Sequence, residues 1–211
     1  MIQTTTLFLF CGTLLALLVS PGPNMAFLLS HGISDGVRGG LAVALGIFVA
    51  DLVMTALTAT GVTAVVAAWP PLFDVLRYLG AGYLVWLAIQ AMRPHAPTHL
   101  RDQVKTSSTR IFRMAVLNSL LNPKALLFFM VFLPQFVNPA AGHIPLQIAI
   151  LGLVLCMMAL LFHATLAATS GRIATLFARS ARYGNLFRWM HACLFVGLAL
   201  RLLLLEKPTP R

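Results

Sequence analysis

Two ionisable side chains, Asp51 and Lys124, stand deep inside long apolar runs of a chain that has few charges to place. A charged side chain near the centre of a bilayer costs at least about 2.5 kcal/mol, so each must face a protein interior or a water-filled cavity. Asp51 has the chemistry to hold an ammonium group or to carry a proton. Lys124 has the chemistry to hold a carboxylate, or to neutralise Asp51 in a permanent ion pair that only glues helices together. Thr55 and Thr58 follow Asp51 at helical spacing and extend a polar stripe from it. His163 lies in a later apolar run on a face with Cys156, Ala159, Ala167 and Ser170. It reads either as a proton relay or as an imidazole hydrogen-bonded within the core.

Two backbone interruptions accompany these residues. Ser20-Pro21-Gly22-Pro23-Asn24 falls within an uncharged run from Leu7 to Leu29, and Asn122-Pro123-Lys124-Ala125 falls within another. A proline removes an N–H donor and its ring clashes with the preceding turn, so neither run continues as an unbroken helix. In a bilayer, such a break is tolerated only where protein or a water-filled cavity surrounds it. Freed backbone groups and half-helix N-termini then become ligands for polar solutes, with Asn24 and Asn122 adding amides that donate and accept. The bland reading is a pair of proline kinks that serve packing alone. Two Asn/Pro breaks in matching spans favour a site.

The elements that position these groups follow from composition. Of 211 residues, 59% are hydrophobic and 9% are charged, against about 25% charged in soluble domains. The apolar runs are long enough to span a bilayer, which takes roughly 20 residues each. They predict an all-α membrane protein with six spans: Thr5–His31, Gly39–Gly61, Leu72–Met92, Ile111–Leu133 ended by Pro134, Leu146–Ser170 and Leu186–Leu205. The chain reads as one transmembrane domain whose halves, 1–92 and 111–211, flank a basic loop at 93–110.

The net charge of +10 does not indicate nucleic acid, because the basic residues sit at the ends of apolar runs. There they report topology. Arg38, the cluster Arg93 to Arg113, and the cluster Arg172 to Arg188 fall on one side, while the connections Val62–Pro71 and Pro134–Pro145 have no Lys or Arg. The basic side is the cytoplasm, and both termini lie outside. Three spans per half then run in opposite senses, which is the condition for an inverted repeat, with corresponding breaks in spans one and four. Arg77 and Arg201 read as snorkelling residues, and Trp86, Tyr83 and Trp189 as interfacial anchors.

Several functions are disfavoured. Cys11, Cys156 and Cys193 form no metal spacing and no CxxC pair. No phosphate-binding loop, GxSxG or HExxH is present, so no cofactor or metal is expected and transport would be secondary. An intramembrane enzyme built on Asp51 and His163 lacks a second catalytic carboxylate or a nucleophile motif. Export of a different small solute or a cation stays open as an alternative cargo.

The first-span motif Ser20 to Asn24, the glycine-rich stretch from Gly32 to Gly46 leading to Asp51, and Asn122 to Ala125 followed by Phe128-Phe129 and Phe132-Leu133-Pro134-Gln135-Phe136 resemble the lysine exporter/homoserine-threonine resistance family of bacterial amino-acid exporters. The resemblance covers nearly the whole chain, with both motifs in order. It implies a multi-pass exporter of the bacterial cytoplasmic membrane, driven by the proton-motive force, acting on amino acids or their derivatives, and it admits a homodimer. It carries the first-span motif onto Ser20, Pro21, Gly22, Pro23 and Asn24, and the fourth-span motif onto Asn122, Pro123, Lys124 and Ala125. The residues themselves suggest a mechanism. Lys124 and nearby half-helix N-termini hold a carboxylate, Asp51 holds an amino group or the coupling proton, and competition for that one carboxyl gives antiport.

Overall fold

A computed structural model describes residues 2–20, 22–62 and 106–179, together with residues 78, 81, 82, 85, 86, 88, 89, 92, 189, 193, 196, 197, 199 and 200. The chain folds as α1 (Thr4–Val19), α2 (Pro23–Ser34), α3 (Gly36–Leu57) with a π turn at Thr58–Val62, α4 (Ser108–Leu120), α5 (Pro123–Leu127), and α6 (Ile144–Arg179). No strand occurs among the described residues. Between α5 and α6 run a π-helical segment, Phe128–Phe132, and 3-10 turns at Leu133–Phe136 and Pro139–Ala141.

The expected breaks are present. α1 and α2 meet at 56°, and α4 meets the helical segment that follows it at 54°. Gly36–Gly61 and Ile144–Ser170 are each long and apolar enough to cross a membrane, and each bent pair, counted as one span, passes the same test of length and composition. Among the described residues, two of the six expected spans are therefore visible, or four with the bent pairs so counted. Most of the third and sixth spans, with Arg77, Tyr83 and Arg201, lies outside the described residues. Those described within them, such as Ala81, Trp86, Trp189 and Ala199, are helical.

Local chemistry sets the boundaries. Pro23 is at the first turn of α2 and Pro123 at the first turn of α5, where a missing N–H removes nothing. Asn122 caps α5: its side chain accepts a hydrogen bond from the Lys124 backbone N–H at 3.0 Å. Gly36 has φ of +71°, a conformation that favours glycine, and it turns the chain from α2 into α3.

One expected boundary shifts, and one helix outruns its span. Pro134 does not end the fourth span; it occupies the first turn of the 3-10 segment Leu133–Phe136, where its ring needs no N–H. The fifth span ends at Ser170 as expected, but its helix does not: α6 continues to Arg179, so Arg172 and Arg179 belong to a helix rather than to a loop, since nothing from Gly171 to Arg179 removes a backbone donor.

Packing divides into two apolar clusters. One gathers Leu28, Val43, Ile47, Ile111, Ala115 and Ala167 from α2, α3, α4 and α6. The other gathers Phe10, Leu14, Phe129, Phe132, Leu151 and Leu155 from α1, the later part of the fourth span and α6. Small residues bring the helices of the first cluster together. A Cβ on Gly46 would lie 2.6 Å from Ala115 Cβ and 2.7 Å from the Phe112 carbonyl oxygen. Gly40 meets Ala167 and Gly32 meets Ser170 in the same way. In lipid, where apolar burial drives little helix association, such close approach supplies the attraction.

The turn between α2 and α3 carries a fastening that the sequence did not suggest. Asp35 Oδ2 lies 2.8 Å from His31 Nδ1 and accepts from Ser34 Oγ at 2.8 Å, while Asp35 Oδ1 accepts from the Thr106 backbone N–H at 3.0 Å. The carboxylate thus ties the turn after the first span to the approach of the fourth. The hydrogen bond from His31 is the main cause holding the Asp35 carboxyl below its ordinary value; the Thr106 and Ser34 bonds act in the same direction, against desolvation.

Two outcomes follow. Gly46→Val should lower stability by about 1–3 kcal/mol through overpacking against α4, read as a reduced unfolding temperature in detergent. Because the folded-state pKa of Asp35 is lowered, its stabilisation is complete above the free carboxyl value of about 3.9 and is lost as pH falls through the folded value. Asp35→Asn should remove that acid sensitivity and leave the melting temperature flatter with pH below about 4.

Candidate functional site

Both breaks, Asp51 and His163 line one cavity of about 120 Å³. That is several times the roughly 10–15 Å³ that admits one water. Its walls are mainly aliphatic and aromatic, with Phe128, Phe129 and Phe132 on one side, and Ser20, Asn24, Asp51, Asn122, Lys124 and His163 supply the polar groups. A mostly apolar concavity with a few convergent polar groups is the usual form of a small-molecule site.

Lys124 answers the problem that the first break creates. Its Nζ donates to the carbonyl oxygens of Leu17 and Ser20 at 3.0 and 2.9 Å. These carbonyls lie in the last turn and at the cap of α1: that of Ser20 loses its helical partner at the break, and that of Leu17 also accepts from the Ser20 backbone N–H at 3.2 Å. The cation also faces the negative end of the α1 dipole. Among the described residues the ion pair is His31–Asp35, so the expected alternative of a direct Asp51–Lys124 pair is not formed. The lysine passes over Gly22: a Cβ there would stand 3.4 Å from Lys124 Cδ and 3.6 Å from Nζ, ordinary van der Waals contact.

Asn24 bridges the broken spans on the other side. Its Nδ2 donates to Ser119 Oγ at 2.9 Å, and its Oδ1 accepts from Asn118 Nδ2 at 3.0 Å. Asn118 and Ser119 were not among the expected site residues. Their signal was legible, for Asn118 is polar, lies in an apolar span and stands one helical turn before Asn122.

The two sets of bonds fasten the half-helices crosswise. Lys124 joins α5 to α1, and Phe10 of α1 meets Phe136 edge-on with ring centroids 5.1 Å apart. Asn24 joins α2 to α4. Because α1 pairs with the later half of the fourth span and α2 with its earlier half, the two broken spans run antiparallel.

The wall formed by α3 and α6 is different in character. Asp51 is 5% exposed, and its carboxyl makes no hydrogen bond among the described residues. His163 is also 5% exposed, and its Nδ1 is buried with no partner. Leaving a polar group buried and unsatisfied costs about 1–3 kcal/mol. Thr55 turns away from the cavity: its Oγ1 donates to the Asp51 carbonyl oxygen at 2.8 Å and lies 3.6 Å from Cys156 Sγ. Its side chain occupies the space that a Cβ on Gly152 would need, so it serves the α3–α6 contact. Pro21 lies outside the described residues, and Pro23 is exposed at the start of α2. Among the described residues no cluster of His, Cys, Asp or Glu is arranged for a metal.

Lys124→Met should strand the Ser20 carbonyl, take one of two donors from the Leu17 carbonyl, and lower stability by about 1.5–3 kcal/mol, the range for a hydrogen bond to a charged group. Thermal unfolding in detergent checks this.

A family model of the LysE type translocator matches residues 15–206. An uncharacterised membrane protein of Pseudomonas aeruginosa is 36% identical over 190 residues, covering 86% of this chain and 87% of that protein. A leucine efflux protein of Enterobacter sp. (strain 638) is 34% identical over 185 residues, covering 86% and 87%. A leucine efflux protein of Salmonella typhimurium is 31% identical over 188 residues, covering 88% and 89%. No solved structure matches the chain.

Proposed function

The chain belongs to the LysE type translocator family, a family of transporters rather than enzymes, and from that premise we propose that it exports amino acids across the bacterial cytoplasmic membrane in exchange for protons. The observation that carries this reading is the single cavity in which two broken helices, an unpaired carboxyl and a lysine ammonium converge. The leucine efflux relatives make L-leucine the first cargo to test.

The two walls suit the two ends of a zwitterion. On the side of the breaks lie the Lys124 charge, the N-terminus of α2 and the side chains of Ser20 and Asn122. Asn122 has its Oδ1 engaged by the Lys124 backbone N–H, which leaves its amide N–H groups for a carboxylate. On the α3 side, Asp51 meets the ammonium group. A carboxyl that binds a proton or an ammonium group, and not both, makes the two compete. With both occupied and empty-protonated forms able to reorient, that competition gives antiport. The lysine itself contributes its field and its grip on α1, a revision of the simpler expectation that it acts chiefly as a carboxylate ligand.

The antiparallel course of the two broken spans supports halves of opposite orientation, with both termini outside as the loop charges suggest. The crosswise bonds support a mechanism in which the pair α1 and α5 moves against the pair α2 and α4, with the breaks as hinges.

Everted membrane vesicles containing the protein should accumulate labelled L-leucine when a pH gradient is imposed. Asp51→Asn should abolish gradient-driven accumulation while leaving the protein folded and monodisperse. Undiminished accumulation by that variant rules out the coupling role of Asp51. Absence of uptake by the wild type across a panel of amino acids rules out the export reading.

A further inference from the structure

The cavity is polar at the breaks and hydrocarbon at one end. Ser20, Asn24, Asn122 and Lys124 stand at the breaks, and Phe128 and Phe132 follow Lys124 at i+4 and i+8 and line the same space. Leu14 lines it from α1, one turn before Leu17 and Leu18, and Leu155 lines it from α6. Leu14, Phe132 and Leu155 are each 3% exposed and belong to the apolar cluster that holds Phe10 and Phe136. Thr55 of α3 meets Gly152 and Cys156 of α6, while Gly40 meets Ala167, so the two helices run antiparallel. That register brings Asp51 level with Leu155 and Cys156. Side chains lean toward the N-terminus of their own helix. Asp51 therefore leans toward the half that holds α2 and α4, and Leu155 leans the opposite way, toward Phe136. Gln135 does not line the cavity; its Nε2 donates to the Val131 carbonyl oxygen at 2.9 Å. Among the described residues, the end between Leu14, Phe132 and Leu155 is lined by hydrocarbon side chains alone.

Phe132 closes that end and has little room to retreat. Its ring stacks on Phe128, with centroids 5.3 Å apart and planes 26° apart, and meets Phe136 at 5.6 Å. Phe136 in turn meets Phe10 edge-on at 5.1 Å. Rings packed in such a row resist displacement as the rest of a close-packed interior does. Phe132 also ends the π-helical segment Phe128–Phe132, and π turns are frequent at functional sites. The whole cavity measures about 120 Å³, less than the about 150 Å³ of an engineered apolar cavity that admits one benzene. The charged head of a zwitterion takes part of that space, so the remainder is smaller than an aromatic ring needs.

We propose that the cargo's side chain points from the breaks into this hydrocarbon end, and that Phe132 is the specificity-determining residue that limits its size to a short aliphatic branch. This rests on the export reading above and adds to it the direction and class of the side chain. An aliphatic branch buries itself there without stranding a polar group. Asparagine is close to leucine in shape but brings an amide that finds no partner at that end, and an unpartnered buried amide is costly. Phenylalanine brings a ring that meets the Phe132 face before its head group settles between the breaks and Asp51.

The test uses full-length protein in everted vesicles under a pH gradient, with labelled L-leucine as cargo and L-phenylalanine and L-asparagine as competitors. In the wild type both should inhibit leucine uptake at least about tenfold more weakly than unlabelled leucine does, since one methylene too many in a fitted apolar pocket is worth about 10–200-fold. Phe132→Ala should lower KM for labelled phenylalanine about tenfold or more while raising KM for leucine, with asparagine still excluded. Phe132→Leu should move both values the same way by less. A general loosening of the core moves both cargoes together and gains neither. Wild-type inhibition by phenylalanine or asparagine equal to that by leucine overturns the proposal while leaving export standing. So does an unchanged ratio of the leucine and phenylalanine KM values in the two variants. Absence of uptake by the wild type across the amino-acid panel overturns the export reading itself. The wild-type competition and the milder Leu variant carry the comparison if the Ala variant fails to fold.

Discussion

Two carbonyl oxygens at the end of α1 set the terms for the rest of the molecule. The first break strands the Ser20 carbonyl and leaves the Leu17 carbonyl only the Ser20 N–H at 3.2 Å, inside an apolar assembly where water is scarce and an unsatisfied group is costly. One ammonium, from Lys124, satisfies both. That ammonium comes from the second break, so each interruption supplies what the other needs. The lysine reaches its partners over Gly22, where a Cβ would lie 3.4 Å from its Cδ. It sits at the right depth only because Asn122 caps the short helix that carries it. A defect in one span and a charge in another, each unfavourable alone, become stable together.

The same arrangement separates the helix halves into two groups. Lys124 and the Phe10–Phe136 contact hold α1 with the later part of the fourth span. Asn24, Asn118 and Ser119 hold α2 with α4. Each group has its own apolar cluster, and the cavity lies where the clusters meet at the breaks. A straight helix would transmit motion along its length. A broken one lets its halves follow different neighbours, provided the backbone groups at the break have partners in every state. The lysine on flexible methylenes is well suited to that, as its ammonium keeps contact over a range of positions.

The α3 and α6 wall completes the cavity by a different principle. Small residues let these helices approach closely, and Thr55 is consumed in that contact. Asp51 and His163 line the cavity from this wall, each 5% exposed, and the Asp51 carboxyl makes no hydrogen bond among the described residues. Native interiors rarely leave buried polar groups without partners. The Asp35 cluster shows the contrast. There, His31, Ser34 and the Thr106 backbone N–H all converge on one carboxylate, and the polar group closes structure rather than waiting for a ligand.

Much of this was readable from residue types. Pro21, Pro23 and Pro123 dictate the breaks because proline removes a donor and fixes a dihedral, wherever it stands. The lengths of the apolar runs dictate helices that cross a bilayer, since no other open structure satisfies its backbone there. The depth of Asp51 and Lys124 marks them as inward-facing, because lipid would not tolerate them. Those are local or solvent-imposed constraints, and one chain written in order carries them. The fold alone decided that Lys124 grips α1 instead of Asp51, that Thr55 is turned into a helix contact, and that Asp35 ties Thr106 across 71 positions of sequence. Each of these depends on which elements meet and at what register, to within the few ångströms over which a hydrogen bond exists. No spacing along a single chain encodes that distance.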